Sequence, residues 1–382
     1  MHRALQQIEP HIVTLGAPLL ESMTLSHCNL MGGYKSTFEP EGMKDPVFLS
    51  TYNNTIVRPR LPRLKELTLK GVHVDWSSLA SMLAGSQSPL RKLDLSLHCL
   101  EVRPSLTEFR DLLMATPYLT KLVLQMTGPH VLQASTSLVN VGPPILLQHL
   151  REITIGDYTS FDGQVLLKSF AAPNVKVLTV NDLSLPSLRM GDPGWLLIHI
   201  GAGHEGFISH INSLRRGHGP TAGIGTAPQE ALFPLLEEVT LHEVRTHHSS
   251  VQTFFRGVPN VRRLELRRCC AQVIEALRPY GGIHVPLPQL ELLVIRRRNV
   301  ELDQEMVDTL RDIAEERQRA GCCLPAVRII GQARWEGVQG YYLRCGTDIV
   351  SVFDEEAEDE AESEPSESEM SDEEMELTDG VS

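Results

Sequence analysis

A short apolar motif, L-x-x-L-x-L, recurs along this chain and constrains its fold more than any other feature. Each occurrence of this motif is called a copy. The clearest copy lies in LPRLKELTLKGVHVDW, residues 61–76, where Leu64, Leu67 and Leu69 are the anchor positions. The alternation of Leu67 and Leu69 with polar residues predicts a short strand whose leucines share one face. A single strand of this length cannot bury that face by itself, so each copy needs neighbouring copies beside it.

Ten copies of the motif can be aligned, and most first anchors follow one another at intervals of 25 to 31 residues. The first anchors are Leu20, Leu64, Leu90, Leu119, Leu150, Val175, Leu236, Val261, Leu290 and Val327. This spacing lies near the upper end of the ~20–29 residues of leucine-rich repeats. Segments with a helical spacing of apolar residues, such as WSSLASMLAGS and LTEFRDLLMATP, separate the predicted strands. We therefore predict an α/β fold, an irregular leucine-rich-repeat solenoid shaped as a horseshoe or arc, with parallel strands on the concave side and helices outside.

The chain divides into four predicted regions. Residues 1–17 are a helical linker or N-terminal cap, residues 18–332 the repeat domain, residues 333–353 a C-terminal cap and residues 354–382 a disordered acidic tail. An interval of 61 residues between two first anchors marks an irregular insertion at about 183–232. The asparagine that many leucine-rich repeats carry after the strand is missing, so we expect the curvature to vary along the repeats.

The net charge of −13 comes from the C-terminal end of the chain. Fifteen acidic residues and no Lys or Arg lie between Asp354 and Asp379, and the rest of the chain holds 35 basic against 33 acidic residues. Such a segment cannot bury enough apolar surface to offset the entropy of ordering, which predicts disorder. Ser366 and Ser371 each precede a glutamate by three residues, the pattern that acidophilic kinases of the casein kinase type favour. They are candidate phosphorylation sites, and the alternative is a solubilising tail without regulation.

The cysteines and the apolar runs indicate where the protein resides. Seven cysteines, with no C-x-x-C pair, argue against a disulfide framework and favour a reducing compartment. The N-terminus lacks the apolar core of a signal peptide, and no run approaches the ~18–20 apolar residues of a membrane-spanning helix. We expect a protein of the cytoplasm, the nucleus or both, with no membrane partner.

No pattern of residues predicts catalysis, a metal or a cofactor. GAGHEG, residues 201–206, is formally G-x-G-x-x-G and follows WLLIHI, which would be a strand in a dinucleotide site. No acidic residue follows at the required distance, so we interpret the segment as a glycine-rich turn. The histidines and the vicinal cysteines lack zinc-site spacing. We therefore predict a protein that is not an enzyme.

Arginines cluster in two neighbouring copies, VRRLELRRC and LVIRRRN. Arg263, Arg267 and Arg296 alternate with the anchor residues, so we expect their side chains on the concave face, with Glu265 among them and Arg298 at a strand end. Such a cluster fits an acidic protein segment or a phosphopeptide. Nucleic acid is disfavoured because no aromatic residues are interleaved with the arginines. The alternatives are a solvated face with local ion pairs and docking of the chain's own acidic tail.

The concave face is the expected site for a protein partner. In the copy at residues 61–76, the residues that alternate with the anchors also point to this face. The full set of candidate partner-binding residues is Arg263, Glu265, Arg267, Arg296, Arg298, Glu66, Thr68 and Lys70.

The amino-acid sequences of several copies resemble those of one known family. GVHVDW, EVRPSLTEF and APNVKVLTV are similar to the leucine-rich-repeat region of F-box proteins from mushroom-forming fungi. The resemblance implies repeats that hold a substrate, and an N-terminal F-box that docks on a Skp-type adaptor of a cullin ubiquitin ligase. No F-box pattern precedes the first copy. We expect either a chain truncated at its start or a repeat-only relative, and a Skp-type adaptor as partner only if an F-box lies upstream.

The sequence thus predicts a non-enzymatic protein-recognition module, an F-box-like substrate receptor or its repeat-only relative. One alternative is a chaperone-like protein whose acidic tail binds basic partners such as histones. A more remote alternative is a GTPase-activating protein for Ran, which also combines a repeat stack with an acidic tail. Its repeats are regular and rich in asparagine, unlike these.

Overall fold

The computed structural model describes the repeat region with gaps, and the described residues end at Glu355, the second residue of the predicted acidic tail. The described residues are 17–26, 61–72, 74–85, 89–98, 102–129, 142–156, 160–182, 194–215, 231–280, 284–297, 304–322, 326–332, 338–344 and 347–355. The predicted helical region at residues 1–17, apart from Ala17, lies outside these ranges, as does the predicted tail after Glu355.

Strands and helices alternate along most of the described chain. The strands are β1 (Ser22–Ser26), β2 (Glu66–Lys70), β3 (Lys92–Ser96), β4 (Lys121–Gln125), β5 (Ile145–Leu146), β6 (Glu152–Gly156), β7 (Phe170–Ala171), β8 (Val177–Asn181), β9 (Glu238–His242), β10 (Arg263–Arg267), β11 (Leu292–Arg297), β12 (Ala326–Gln332), β13 (Val338–Arg344) and β14 (Thr347–Glu355). The helices are α1 (Trp76–Gly85), α2 (Leu106–Met114), α3 (Ser160–Ser169), α4 (Gly194–Arg215), α5 (His248–Gly257), α6 (Ala271–Glu275) and α7 (Gln304–Arg319).

Twelve of these strands form one large sheet. Its order is β1-β2-β3-β4-β6-β8-β9-β10-β11-β12-β13-β14. Pairing is parallel from β1 to β12, and antiparallel from β12 through β13 to β14. Strands β5 and β7 form a separate parallel pair. The chain is therefore an α/β protein with a large, mostly parallel sheet in a solenoid-like order.

A recurring turn brings the chain into each strand of this sheet. The N–H of the first anchor donates to the carbonyl oxygen three residues earlier, as from Leu64 to Leu61 at 3.2 Å and from Val261 to Val258 at 3.4 Å. Proline follows the accepting residue in most copies, as Pro62 does, and its fixed φ suits the second position of such a turn. The turn leads each strand away from its first anchor in the same way, and parallel pairing in register stacks the anchors of successive copies.

The anchors and the helices bury one common core. Leu67, Leu93 and Leu264 are all fully buried, and in-register pairing places Leu67 beside Leu93. Helix α2 adds Phe109 and Leu112 to the same core. Helix α2 begins with a capping box, in which the side chains of Ser105 and Glu108 accept hydrogen bonds from each other's backbone N–H. The anchor side of the sheet is thus the side that the helices cover.

Register corrects the position of the last copy. Val327 was expected to be a first anchor, but it pairs with Leu293, which is the second anchor of its own copy. The copy therefore starts three residues earlier than its apolar pattern indicated. Val327 was misassigned because this copy is degenerate, and its apolar residues alone do not show which of them is the first anchor.

The insertion at about 183–232 contains a helix, and the segment that would be a strand in a dinucleotide site is part of it. WLLIHI belongs to α4, whose backbone leaves helical geometry at Gly203 (φ 66°, ψ −177°). Helix α4 packs closely on α5, because a Cβ atom at Gly201 would lie 2.5 Å from the Phe254 Cα and one at Gly257 would overlap the Gly201 carbonyl oxygen. The glycine-rich turn predicted at residues 201–206 is thus a kinked helix. At least one of its glycines serves helix packing.

Among the described residues, no helix combines the length and the apolar composition needed to cross a membrane.

Candidate binding surface on the polar face of the sheet

The side of the sheet opposite the anchors is polar, and we call it the polar face. Parallel pairing in register stacks the residue that lies between the second and third anchors of every copy into one continuous row. The row runs Thr24, Thr68, Asp94, Val123, Thr154, Thr179, Thr240, Glu265, Val294 and Arg328. Two flanking rows carry the first and last residues of the strands, so charges on neighbouring strands lie side by side.

On strands β2, β3, β4 and β6 each lysine of the polar face has a carboxylate partner on a neighbouring strand. Lys92 Nζ lies 3.9 Å from Glu66, and Lys121 Nζ lies 2.9 Å from Glu152. We call these two ion pairs, together with the pair of Lys70 and Asp94, the paired region. The side chains of the first two pairs are between one third and about one half exposed, so each of these pairs contributes only ~0–1 kcal/mol.

The candidate residues of the opening copy lie in this paired region. Lys70 Nζ is 3.8 Å from the Asp94 carboxylate, which also accepts a hydrogen bond from Ser96 Oγ at 2.5 Å. Glu66 and Lys70 are accessible, but Thr68 is only 8 % exposed. Thr68 was expected to be presented to a partner. Its short side chain lies between neighbouring strands, and this placement leaves little of it accessible.

The polar face of β10 and β11 holds three arginines around one carboxylate, as the sequence predicted. We call Arg263, Glu265, Arg267 and Arg296 the arginine patch. The Nε atoms of Arg267 and Arg296 each donate to Glu265 Oε1 at 2.7 Å, and Arg263 Nη2 donates to Oε2 at 3.4 Å. The Glu265 side chain is 4 % exposed, whereas those of the arginines are 35–46 % exposed. Counted over these four side chains alone, the positive charges exceed the negative charge by two.

The charge of Glu265 is maintained by its neighbours. Burial alone raises the pKa of this carboxyl, but the guanidinium groups of Arg267 and Arg296 outweigh burial and hold the pKa below its ordinary value of 4.5. Glu265 is thus ionised at neutral pH. It orients two arginines through their Nε atoms.

The residues around the patch are of mixed charge, and Glu238 lies beside Arg263 in a flanking row. Arg328 continues the central row two strands beyond Glu265, next to Val294. His242 lies beside Arg267 in the flanking row, and its pKa is lowered from 6.5 chiefly by burial. His242 is therefore uncharged at neutral pH.

Not every predicted site residue lies in the described part of the chain. The side chain of Arg298 and the candidate phosphorylation sites Ser366 and Ser371 fall outside it. The sequence reasoning also overlooked residues that the structure places on the same face, namely Lys92, Asp94, Lys121, Glu152 and Arg328. These positions could have been identified by aligning the copies on their anchors and noting which residues lie between the anchors.

Other residues take the place of the missing asparagine. His98 follows the third anchor of its copy by three residues and is fully buried, with Nδ1 2.7 Å from Thr127 Oγ1 and Nε2 3.1 Å from the Val72 carbonyl oxygen. Cys269 occupies the same place in its own copy, and its Sγ donates to the Leu241 carbonyl oxygen at 3.1 Å. Burial raises the pKa of Cys269 to about 12, which keeps it a thiol. Both residues therefore link adjacent copies.

The described residues contain no group of three or more His, Cys, Asp or Glu side chains arranged to hold a metal ion. His199 and His204, two of the histidines noted in the sequence, stack with ring centroids 5.5 Å apart. Burial lowers the pKa of His199 to about 3, with smaller contributions from His204 and Lys168. His199 is accordingly a neutral side chain within the interior.

Comparisons with known proteins identify no family. No protein-family model and no curated protein sequence matches the chain. A solved structure of a Bacteroides fragilis protein, a structural genomics target, aligns with 66 % of this chain at 11 % identity and a TM-score of 0.32. This chain covers 64 % of that protein. At this TM-score the similarity supports no conclusion about fold type or function.

Proposed function

We propose that the chain is a non-enzymatic protein-recognition module, an irregular leucine-rich-repeat protein that binds a partner through its polar face. The L-x-x-L-x-L spacing and the stacking of its anchors in one parallel sheet support this repeat type. The anchors pack against the described helices, whereas the side chains of Arg263, Arg267 and Arg296 on the polar face are 35–46 % exposed, so a partner can approach them there. The observation that carries the proposal is the arginine patch.

The geometry of the patch suits an extended acidic segment of a protein. Arg263 and Arg267 lie four positions apart on one strand, a rise of ~13 Å along the backbone, but their guanidinium groups converge on the two oxygens of the Glu265 carboxylate. Arg296, beside Arg267 on the next strand, donates to the same carboxylate. Carboxylates or phosphates of one segment could bind the exposed sides of this guanidinium cluster. Each exposed contact contributes only ~0–1 kcal/mol, so affinity requires several contacts at once.

We propose further that the partner is a client of a ubiquitin ligase, and that the chain acts as an F-box-like substrate receptor. The support is the resemblance of GVHVDW, EVRPSLTEF and APNVKVLTV to fungal F-box proteins. No described residue favours the alternatives, histone binding by the acidic tail or activation of a GTPase.

An acidic probe tests the recognition of acidic segments. A fluorescein-labelled peptide of ten glutamates is titrated with the full chain at low salt, and its anisotropy is measured. We expect Arg263→Gln with Arg267→Gln to weaken binding about tenfold, the effect of losing ~1.4 kcal/mol. The matched control, Lys92→Gln with Lys121→Gln, removes the same charge from the paired region and should change affinity less than twofold. Equal losses in both variants would reject the patch as the binding site.

The ligase link needs its own test. The chain is expressed together with any coding sequence upstream of Met1, and a tagged Skp-type adaptor is used to capture it. Co-purification is the expected result. If the adaptor does not capture the extended chain, the F-box assignment is wrong, whereas the recognition of acidic segments is unaffected.

A further inference from the structure

The arginine patch has a strong candidate ligand within the same chain. Residues 356–382 contain thirteen acidic residues and no Lys or Arg. We propose that this C-terminal segment occupies the patch when no partner is bound, and that an acidic partner must displace it. The inference rests on the proposed function, because it assigns a regulator to the same site.

The end of the sheet directs the segment toward the patch. Strand β13 is antiparallel to β12 and β14 is antiparallel to β13, so β14 runs in the same direction as β10 and β11. Glu355, the last described residue, pairs with Val338, which in turn pairs with Gln332. Gln332 lies two residues beyond Ile330, the partner of Arg296. The segment thus leaves the sheet at the edge where the last residues of β10 and β11 lie.

Distance also favours this docking. Strand β14 is four strands from β10, which corresponds to ~19 Å at the usual strand spacing. Twenty-seven residues extend to ~90 Å at most, and a flexible chain of that length has a root-mean-square end-to-end distance of ~30 Å. A tether whose average length is similar to the span gives the highest effective concentration at the site, in the millimolar range.

The paired region is a poorer destination for the same segment. Strand β4 lies eight strands from β14, about twice as far as β10. Its Lys121 already has the Glu152 carboxylate at 2.9 Å, so a new carboxylate there would have to compete with an existing one. In the patch, Arg263 and Arg267 share the Glu265 carboxylate with Arg296.

The two candidate phosphorylation sites fit this arrangement as regulators. Ser366 and Ser371 lie within residues 356–382. Phosphate would add about −1.5 to −2 charges at each site, and its oxygens pair well with guanidinium groups. Phosphorylation is therefore expected to tighten the internal contact and to close the patch to a partner.

The glutamate probe described above measures this competition in the full chain. The tail variant has four carboxylates neutralised: Glu362→Gln, Glu364→Gln, Glu367→Gln and Glu369→Gln. Because the internal competitor is weakened, we expect it to bind the probe ~fivefold more tightly than the unaltered chain. Ser366→Asp with Ser371→Asp should shift affinity in the opposite direction.

A matched control separates docking from a change in net charge. Four exposed carboxylates of α7 are neutralised instead: Glu305→Gln, Asp308→Asn, Asp312→Asn and Glu315→Gln. This variant should bind the probe within twofold of the unaltered chain. Adding Arg263→Gln and Arg267→Gln to the tail variant should abolish the gain in affinity.

The outcomes distinguish the two proposals. If the probe binds the tail variant and the unaltered chain equally well, the internal ligand is rejected and the patch remains a binding site. A gain of the same size in the α7 control would also reject it, because net charge would then explain the result. If the probe binds neither the tail variant nor the unaltered chain, the proposed function is wrong as well.

Discussion

Two regions of the same polar face manage their charges differently. In the paired region, Lys121 and Glu152 lie at equivalent positions of adjacent strands and neutralise each other. In the arginine patch, Arg267 and Arg296 lie at equivalent positions of adjacent strands and would repel each other without Glu265. One arrangement balances charge between strands, whereas the other concentrates positive charge around a buried anion. Paired opposite charges produce little electrostatic field to attract a charged partner, whereas a local excess of positive charge produces such a field.

The comparison is informative because the inner sides of the two regions are equivalent. Leu67 and Leu264 are both second anchors, both 0 % exposed and both part of one apolar core. The same repeat architecture thus supports both charge patterns. Differences in binding can therefore be assigned to outward residues rather than to packing.

The largest expected effect tests that equivalence. Leu67→Ala and Leu264→Ala should each lower the free energy of unfolding by ~2–5 kcal/mol, because each leaves a cavity among buried anchors. Urea unfolding monitored by circular dichroism measures both. If one variant falls within this range and the other falls outside it, the two regions are not equivalently packed.

The next effect separates the regions. Glu265→Gln should cost ~3 kcal/mol, since three arginines lose the buried carboxylate that holds them together. Asp94→Asn, its counterpart in the central row, should cost ~1 kcal/mol, because Asp94 has one distant lysine and one serine as partners. Urea unfolding of both variants checks the order. If Asp94→Asn is the more costly change, Glu265 is not the anion on which the patch depends.

Acid should weaken the contribution of Glu265. Its pKa in the folded chain lies below the ordinary 4.5, so its stabilisation is complete above that value and is lost as pH falls through the folded-state pKa. The difference in unfolding free energy between the unaltered chain and Glu265→Gln should therefore be larger at pH 7 than in strong acid. A difference that stays constant with pH would contradict the assigned ion pairs.

The smallest effect concerns an exposed pair. Lys121→Gln removes the ion pair with Glu152, whose side chains are 43 % and 45 % exposed, and should change stability by less than ~0.5 kcal/mol. Thermal unfolding at low and high salt measures it. A loss above ~1 kcal/mol that disappears in high salt would mean that the paired region depends on its charges for stability.

Much of the architecture followed from local spacing. The alternation of Leu67 and Leu69 determined which side chains face inward, because successive residues of a strand point to opposite sides. The same rule placed Arg263, Arg267 and Arg296 on one outward face. Pattern alone also anticipated that Glu265 would lie among them.

The spacing of apolar residues predicted secondary structure and register less well where these residues showed neither strand nor helix periodicity. WLLIHI is compatible with a buried strand or a buried helix, and the packing of α4 on α5 through Gly201 and Gly257 decided for a helix. The register of Val327 likewise depended on the hydrogen bonds of its neighbour.

The sequence by itself determined the repeat, the inward anchors and the clustering of arginines on neighbouring strands, since these depend on the two-residue period of a strand. Only the tertiary structure decided the register between copies. Register buried Thr68, gave Lys70 and Lys92 their carboxylate partners, and enclosed Glu265 among arginines from two strands. Such contacts join residues about 30 positions apart, and their distances depend on hydrogen bonds between strands.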